Sequence, residues 1–315
     1  ATLKDKLTIE ADYFHENRTN ILMDRASIPT TMGLSAPVRA NVGEAVSKGV
    51  DGSIVYSDFF GKNFWIKARA NFTFATSAFK VYEEPQYAEG YKLHVGHSLS
   101  QQWGYIAERM FLDDAEVLNS PRQNFGVYAG GDLKYRDVNG DGQITDLDKV
   151  PLGYPTDPEI IYGFGFSMGY KNFDLSVFFQ GSARSSFWID AKNTAPFINE
   201  TQLLKAYADS YWSEDNRNSY ALWPRLSSTE NNNNIQQSSW FMRDGDFLRM
   251  KTLEIGYTLP KRTKSMVWLS NARVYLSGIN LFSLSKFKLW DVEMGGYGLG
   301  YPVQRVVNAG LFITL

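Results

Sequence analysis

The sequence has no cysteine and only three histidines, His15, His94 and His97. That excludes a disulfide scaffold, a zinc–thiolate site and a cysteine nucleophile. The His94-Val-Gly-His97 pair lies in a glycine-flanked stretch without a helical metal-binding context, and a solvated loop is the expectation there. No apolar run approaches the roughly 18 residues that a spanning helix requires. Charge of one sign is also lacking: the formal net charge is -2, and without a dense basic stripe nothing points to nucleic acid. P-loop, dinucleotide and nucleophile-elbow fingerprints are missing. No signal peptide stands at Ala1, which opens directly into strand-like sequence, so the chain is expected to be a mature fragment of a longer protein or one member of a split one.

Aromatic residues are abundant. They make up 15% of the chain, with 21 Phe and 18 Tyr, an emphasis of sheets and interfacial girdles more than of helical bundles. The mean hydropathy of -0.31 would suit a water-soluble protein, but strands of a barrel hide their apolar residues by alternation. Such alternation recurs. In Lys6 to Glu16, Leu7, Ile9, Ala11, Tyr13 and His15 share one face. In Phe64 to Ala78, Phe64, Ile66, Ala68, Ala70, Phe72 and Phe74 oppose Trp65, Lys67, Arg69, Asn71 and Thr73. Ala45 to Phe59, Ile161 to Tyr170, Phe173 to Phe179, Phe247 to Leu259, Asn271 to Asn280 and Val303 to Leu315 complete about eight strands, each near the length of a tilted membrane strand. The fold class is therefore all-β, a C-terminal portion of a large antiparallel transmembrane barrel with long extracellular loops.

The connections between these strands alternate in length. Phe60 to Asn63, Lys171-Asn172 and Lys261 to Ser270 are short; 17–44, 80–160, 181–244 and 281–302 are long. Short periplasmic turns and long outer loops are the asymmetry of outer-membrane barrels, and a soluble sandwich has no cause to show it. Inside the long loops the sequence predicts short strands at Tyr105 to Phe111 and Asp132 to Arg136, a helix near Thr201 to Trp212, and flexible loop at Asn231 to Asn234.

Five segments carry a family likeness. FLRMKTLEIGYTLP (Phe247 to Pro260), ARVYLSGINLFSLSKF (Ala272 to Phe287), GGDLKYRDVNGDGQIT (Gly130 to Thr145), NVGEAVSKGVDGSI (Asn41 to Ile54) and YPVQRVVNAGLFITL (Tyr301 to Leu315) resemble the C-terminal part of SusC/RagA-type TonB-dependent transporters of Bacteroidota outer membranes. The likeness spans most of the 315 residues in the family's order. It implies a barrel of about 22 strands filled by an N-terminal plug, a SusD-like surface lipoprotein that closes over a bound glycan or peptide, and energy supplied by the TonB complex acting on the plug. On that reading residues 1–315 are barrel, and the plug lies outside this chain. One departure is the final Leu315, where many outer-membrane strands end in Phe.

Two constellations are candidates for binding. In the stretch from Asp137 to Asp148, Asp137, Asn139 and Asp141 stand at loop positions one, three and five, Gly142 at six, Gln143 at seven and Asp148 at twelve. Hard oxygen donors at that spacing favour Ca2+ as a structural staple; the competing reading is a glycine-rich acidic turn that holds no metal. Trp212, Trp223, Trp240, Trp290, Tyr297 and Tyr301, with Tyr211, fall in the long outer segments, where ring faces can stack on sugars or hold apolar side chains; girdle or loop packing is the competing reading for each. Adjacent acids such as Asp113-Asp114 and Glu83-Glu84 do not amount to a paired-carboxylate active site, because neighbours alternate faces on a strand. The rival reading of the whole is a secreted carbohydrate-binding β module with a dockerin-like calcium loop; a glycan-cleaving enzyme and a passive porin are weaker alternatives. Titration with Ca2+ is expected to slow protease cleavage near Asp141, and cleavage that ignores Ca2+ removes the metal.

Overall fold

The computed structural model describes residues 2–314 except 4, 27, 29, 199–200 and 261–270. Eight long strands run through it in chain order: β1 Leu7–Asp24, β2 Arg39–Phe60, β3 Phe64–Val81, β4 Ile160–Tyr170, β5 Phe173–Ala183, β6 Phe247–Thr258, β7 Asn271–Ile279 and β8 Val306–Thr314. Each pairs antiparallel with the next, so the wall is an up-and-down meander; Thr2–Leu3 adds to β1 and Ser283–Ser285 to β6. β1 and β8 are its two edges and do not pair with each other.

The register puts the sequence alternation into a single pattern. One row of partners crosses all eight strands: Leu7, Tyr56, Ala68, Phe166, Val177, Leu253, Gly278 and Val307. The next row, on the other face, reads Ser57, Lys67, Ser167, Ser176, Glu254, Ser277 and Asn308. A one-residue slip anywhere would exchange the two faces. The apolar face is not covered: Ile9, Ile54, Phe72, Phe164, Phe166, Ile255, Leu276 and Leu311 are all exposed. A water-soluble protein rarely shows a contiguous apolar surface beyond a few hundred Å2, so this face is built for lipid.

Tight turns close the short ends. Gly61 (φ 67°) and Lys171 (φ 54°) take the left-handed conformation that tight hairpin turns demand. The turns brace one another, with Lys171 N–H donating to the Asn63 carbonyl at 2.7 Å and the Asn172 amide to the Thr258 carbonyl at 2.7 Å. The third short link, Lys261 to Ser270, lies outside the described residues. The long connections between these strands have other bounds than those expected. β1 and β2 continue well beyond the expected strands and cut the first loop to 25–38; the others become 82–159, 184–246 and 280–305. The reason is that the β1–β2 ladder runs on through two register shifts around Asn20 (φ 58°), where an extra residue is absorbed as a bulge and pairing resumes beyond it.

On the polar face, small residues make room for large neighbours. A Cβ on Gly165 would strike the Val177 carbonyl oxygen and come within 2.8 Å of the Phe178 ring; one on Gly169 would strike the Trp65 indole, and one on Gly310 the Tyr275 ring. Gly165→Val is therefore expected to cost about 1–3 kcal/mol of overpacking. It should lower the yield of folded, heat-modifiable barrel in the full-length protein, and an unchanged yield would show that the register does not depend on this contact.

Candidate functional site

The buried apolar core is not in the wall. Tyr105, Met110, Leu133, Tyr135 and Ile144 from the second loop meet Ile189, Tyr207, Trp212, Trp223 and Phe241 from the third and Phe287 and Val292 from the fourth. Three long connections therefore fold into one cap over the long-loop end. The two short strands expected there are Ala107–Met110 and Leu133–Tyr135, and the structure pairs them with each other. The helix is Lys205–Ala208, one turn of the longer span predicted, because the residues before it are drawn into the core as packed Leu203 and Leu204.

Polar side chains fasten the cap. The second half of the Asn231 to Asn234 run, expected to be flexible, is instead a buried joint: Asn233 and Asn234 are buried, while Asn232 stays exposed. Asn233 donates to the Leu133 carbonyl at 2.8 Å and accepts from Gln123 at 2.6 Å; Asn234 accepts from Leu133 N–H at 2.9 Å and donates to Asp132 at 2.8 Å. Amides are chosen here because each must donate and accept at once where water is excluded. Asp132, fully buried, also takes both Arg225 Nε and Nη2, the latter at 2.8 Å. Arg249, buried at the end of β6, clamps the fourth loop through Asp291 at 2.5 Å and through Glu293. Glu116 receives Arg109, Lys134 and the Leu112 N–H. Burial would raise its carboxyl, but these donors outweigh burial and bring it down to about 2.

The predicted binding residues divide. Trp212 and Trp223 are only 3% and 4% exposed, and the expectation that they offer ring faces to solute is corrected: Trp223 tilts against Tyr207 and Phe241, and Trp212 lies on Gly131. Trp240 is half-buried, with its indole N–H on the Leu222 carbonyl at 3.2 Å. Trp290 is half-buried as well, donating to the Gly295 carbonyl at 2.8 Å. Tyr297 and Tyr301 stay out in solvent, 54% and 79% exposed. The glycine run from Gly295 to Gly300 is pinned, because Gly296 lies against the Trp188 carbonyl where no Cβ fits.

The 137–148 segment forms the expected turn. Asp137 accepts from Gly140 N–H at 2.7 Å and Gly142 N–H at 2.8 Å, and Ile144 at position eight is buried in the core. Asp148 is buried too, with both oxygens accepting backbone N–H groups, from Val138 at 2.8 Å and Thr145 at 2.7 Å. Asp137, Asn139, Asp141 and Gln143 stay on the accessible rim. Among the described residues no three acidic or imidazole side chains converge as a metal cage; the donors present are a rim of oxygens with the twelfth position spent inside. Lys92, buried, ties this turn to the segment after β3 through the Asp146 carbonyl at 2.5 Å.

The histidine loop is also more ordered than expected. His94 stacks on Tyr82 with ring centroids 4.5 Å apart and meets Glu84 through its ring nitrogen at 2.8 Å. Tyr82, Glu83, Glu84 and His94 line one side of a recess of about 770 Å3 whose other side is the β1–β2 hairpin, with Arg25 and Arg39. Arg25 bridges the recess to Glu83 at 2.6 Å. Sequence gave no signal for this recess, since its two walls are 58 residues apart at that bridge.

No protein-family model matches the sequence. A TonB-dependent receptor of Formosa agariphila is 28% identical over 333 residues, covering 97% of this chain and 32% of that protein. The TonB-dependent receptor SusC of Bacteroides thetaiotaomicron is 24% identical over 309 residues, covering 95% of this chain and 29% of that protein. The chain is a homologue of SusC-type TonB-dependent receptors. The fold agrees: the solved structure of the RagAB peptide importer in its 'open-open' state superimposes with a TM-score of 0.68 over 99% of this chain and 33% of that chain, at 19% identity. The SusC-type relatives are outer-membrane β-barrel proteins, which places the apolar face of the wall against outer-membrane lipid. This chain spans about a third of the length of the curated relatives it matches. Those relatives are receptors and transporters, which supports a role without catalysis.

Two outcomes test the cap. Asp132→Ala strands Arg225 and Asn234 and is expected to cost about 3 kcal/mol, exposing the cap to protease while the wall stays heat-modifiable; equal resistance would refute the joint. Because the Glu116 carboxyl is depressed in the folded cap, its contribution is present above the unfolded carboxylate value and is lost as the pH falls toward about 2. Glu116→Gln should therefore flatten the acid limb of cap unfolding.

Proposed function

We propose that this chain supplies about a third of the barrel wall, and the outer cap above it, in a TonB-dependent importer of the bacterial outer membrane. The observation that carries the reading is the register: an apolar row crosses all eight strands and a polar row beside it crosses seven, with short turns at one end and a folded cap at the other. A wall with two open edges needs further strands beside β1 and β8 to close, and the relatives' length, about three times that of this chain, leaves ample sequence for them. The rest of the barrel, its plug and a TonB-contacting segment belong to that remainder.

The imported nutrient on this reading is an oligosaccharide or a peptide, handed in beneath a SusD-like surface lipoprotein. Tyr297 and Tyr301 are the contact residues we assign, since their rings are free; Trp240 and Trp290 act from half-buried positions. Ca2+ remains part of the proposal as a staple of the 137–148 turn through Asp137, Asn139, Asp141 and Gln143, supported by donor spacing and by the turn's ties to Ile144 and Lys92. A secreted carbohydrate-binding module is not retained, because it would leave the whole apolar face in water.

Growth on defined oligosaccharide or peptide sources tests the reading. Deleting the gene should abolish growth on one source and spare simple sugars and amino acids. In the full-length protein, Tyr297→Ala with Tyr301→Ala should raise the half-saturating nutrient concentration about tenfold, from ring contacts worth about 0.5–1.5 kcal/mol each. Growth unaffected by deletion on every source would refute import.

A further inference from the structure

On the polar face of the wall two cations stand apart from the others. Arg273, on β7, is held by Asp174 and by Glu254, the latter at 2.7 Å. Lys67 and Arg69, on β3, are exposed, and among the described residues neither has an ion pair or a hydrogen bond. The register explains why. Arg69 is opposite Val55 on β2 and Gly165 on β4, and Lys67 is opposite Ser57 and Ser167. One step further along the same face are Ser53 and Gly163, so no carboxylate stands beside either cation. The small residues leave open floor around two long side chains.

Arg69 is also positioned. Its guanidinium lies over the Phe178 ring, 4.6 Å from the centroid, and Phe178 lies flat because a Cβ on Gly163 or Gly165 would come within 2.9 and 2.8 Å of it. A guanidinium held over a ring by cation–π attraction still has N–H groups to donate, and a guanidinium fork can grip a carboxylate through two parallel hydrogen bonds. Lys67, two residues along the same strand face, adds a second charge at about 7 Å.

We propose that Lys67 and Arg69 form a receiving site for a carboxylate on the interior face of the wall. The site rests on the barrel reading for its location, since only there is this face an interior. Its ligand carries a carboxylate; that group belongs either to an acidic solute passing through or to the part of the full-length protein outside this chain.

The test uses the full-length protein in outer-membrane preparations. A zero-length carbodiimide joins lysine amines to carboxylates in contact, and the products are mapped by mass spectrometry, first without solute and then with a galacturonate trimer or a triglutamate peptide. A Lys67 product formed without solute, to an acid outside this chain, identifies an internal ligand; one formed only with an acidic probe identifies the solute. In either case Arg69→Gln should lower the Lys67 product roughly tenfold and leave the Lys251–Glu293 product unchanged. Lys67 that couples in neither condition, that couples only to Glu10, Asp12 or Asp51 of this wall, or whose product ignores Arg69→Gln overturns the site. Coupling needs no transport, and fractionation of the same membranes reports separately on whether the protein is in the outer membrane.

Discussion

Everything in this chain depends on how the backbone satisfies its own hydrogen bonds. In a bilayer no water is available, so each strand must find all its partners in its two neighbours. The eight-strand ladder does this without a break in order, and the bulges at Asn20 and between Phe178 and Phe179 adjust it without ending it. Once the ladder exists, the period of two does the rest. Side chains are divided between lipid and interior by parity alone, which is why a chain with ordinary mean hydropathy can present an uncovered apolar face.

The cap obeys the opposite rule. Its segments lie beyond the ladder, in water, and they need a core of their own. They assemble one from aromatic and aliphatic residues that are distant in sequence, and they close it with amides and ion pairs: Asn233, Asn234, Asp132 with Arg225, and Arg249 with Asp291 and Glu293. Arg249 is where the two systems join, since it belongs to β6 and holds the fourth loop. The outer end of the wall is thereby tied to the cap, and a solute recognised by Tyr297 or Tyr301 would meet a surface fixed to the barrel.

Much of the wall was legible before any coordinates. In β1 and β3 alternation alone assigned the faces, because each strand is long enough for parity to be counted. The alternating connection lengths followed from the same count. The cap was not legible in that way. Trp212 and Trp223 carry no periodicity, and a buried tryptophan in an irregular loop looks like an exposed one until its partners are known. Asn231 to Asn234 has the composition of a flexible linker; the burial of Asn233 and Asn234 depends on carbonyl and amide groups of Leu133 a hundred residues away. The interior cations were visible as residues, yet that Lys67 and Arg69 lack acids while Arg273 has two depends on the register, which sequence does not print.

The central claim is that β3 separates lipid from a wet interior. Because the chain contains no cysteine, single cysteines can be placed along β3 of the full-length protein in intact cells and probed with a small membrane-impermeant thiol reagent, the remainder of the protein being first made free of reactive thiols. Labelling is predicted at Lys67→Cys, Arg69→Cys and Asn71→Cys and is predicted to fail at Ile66→Cys, Ala68→Cys and Ala70→Cys. Uniform labelling along the strand, or labelling of the second set alone, would contradict the barrel.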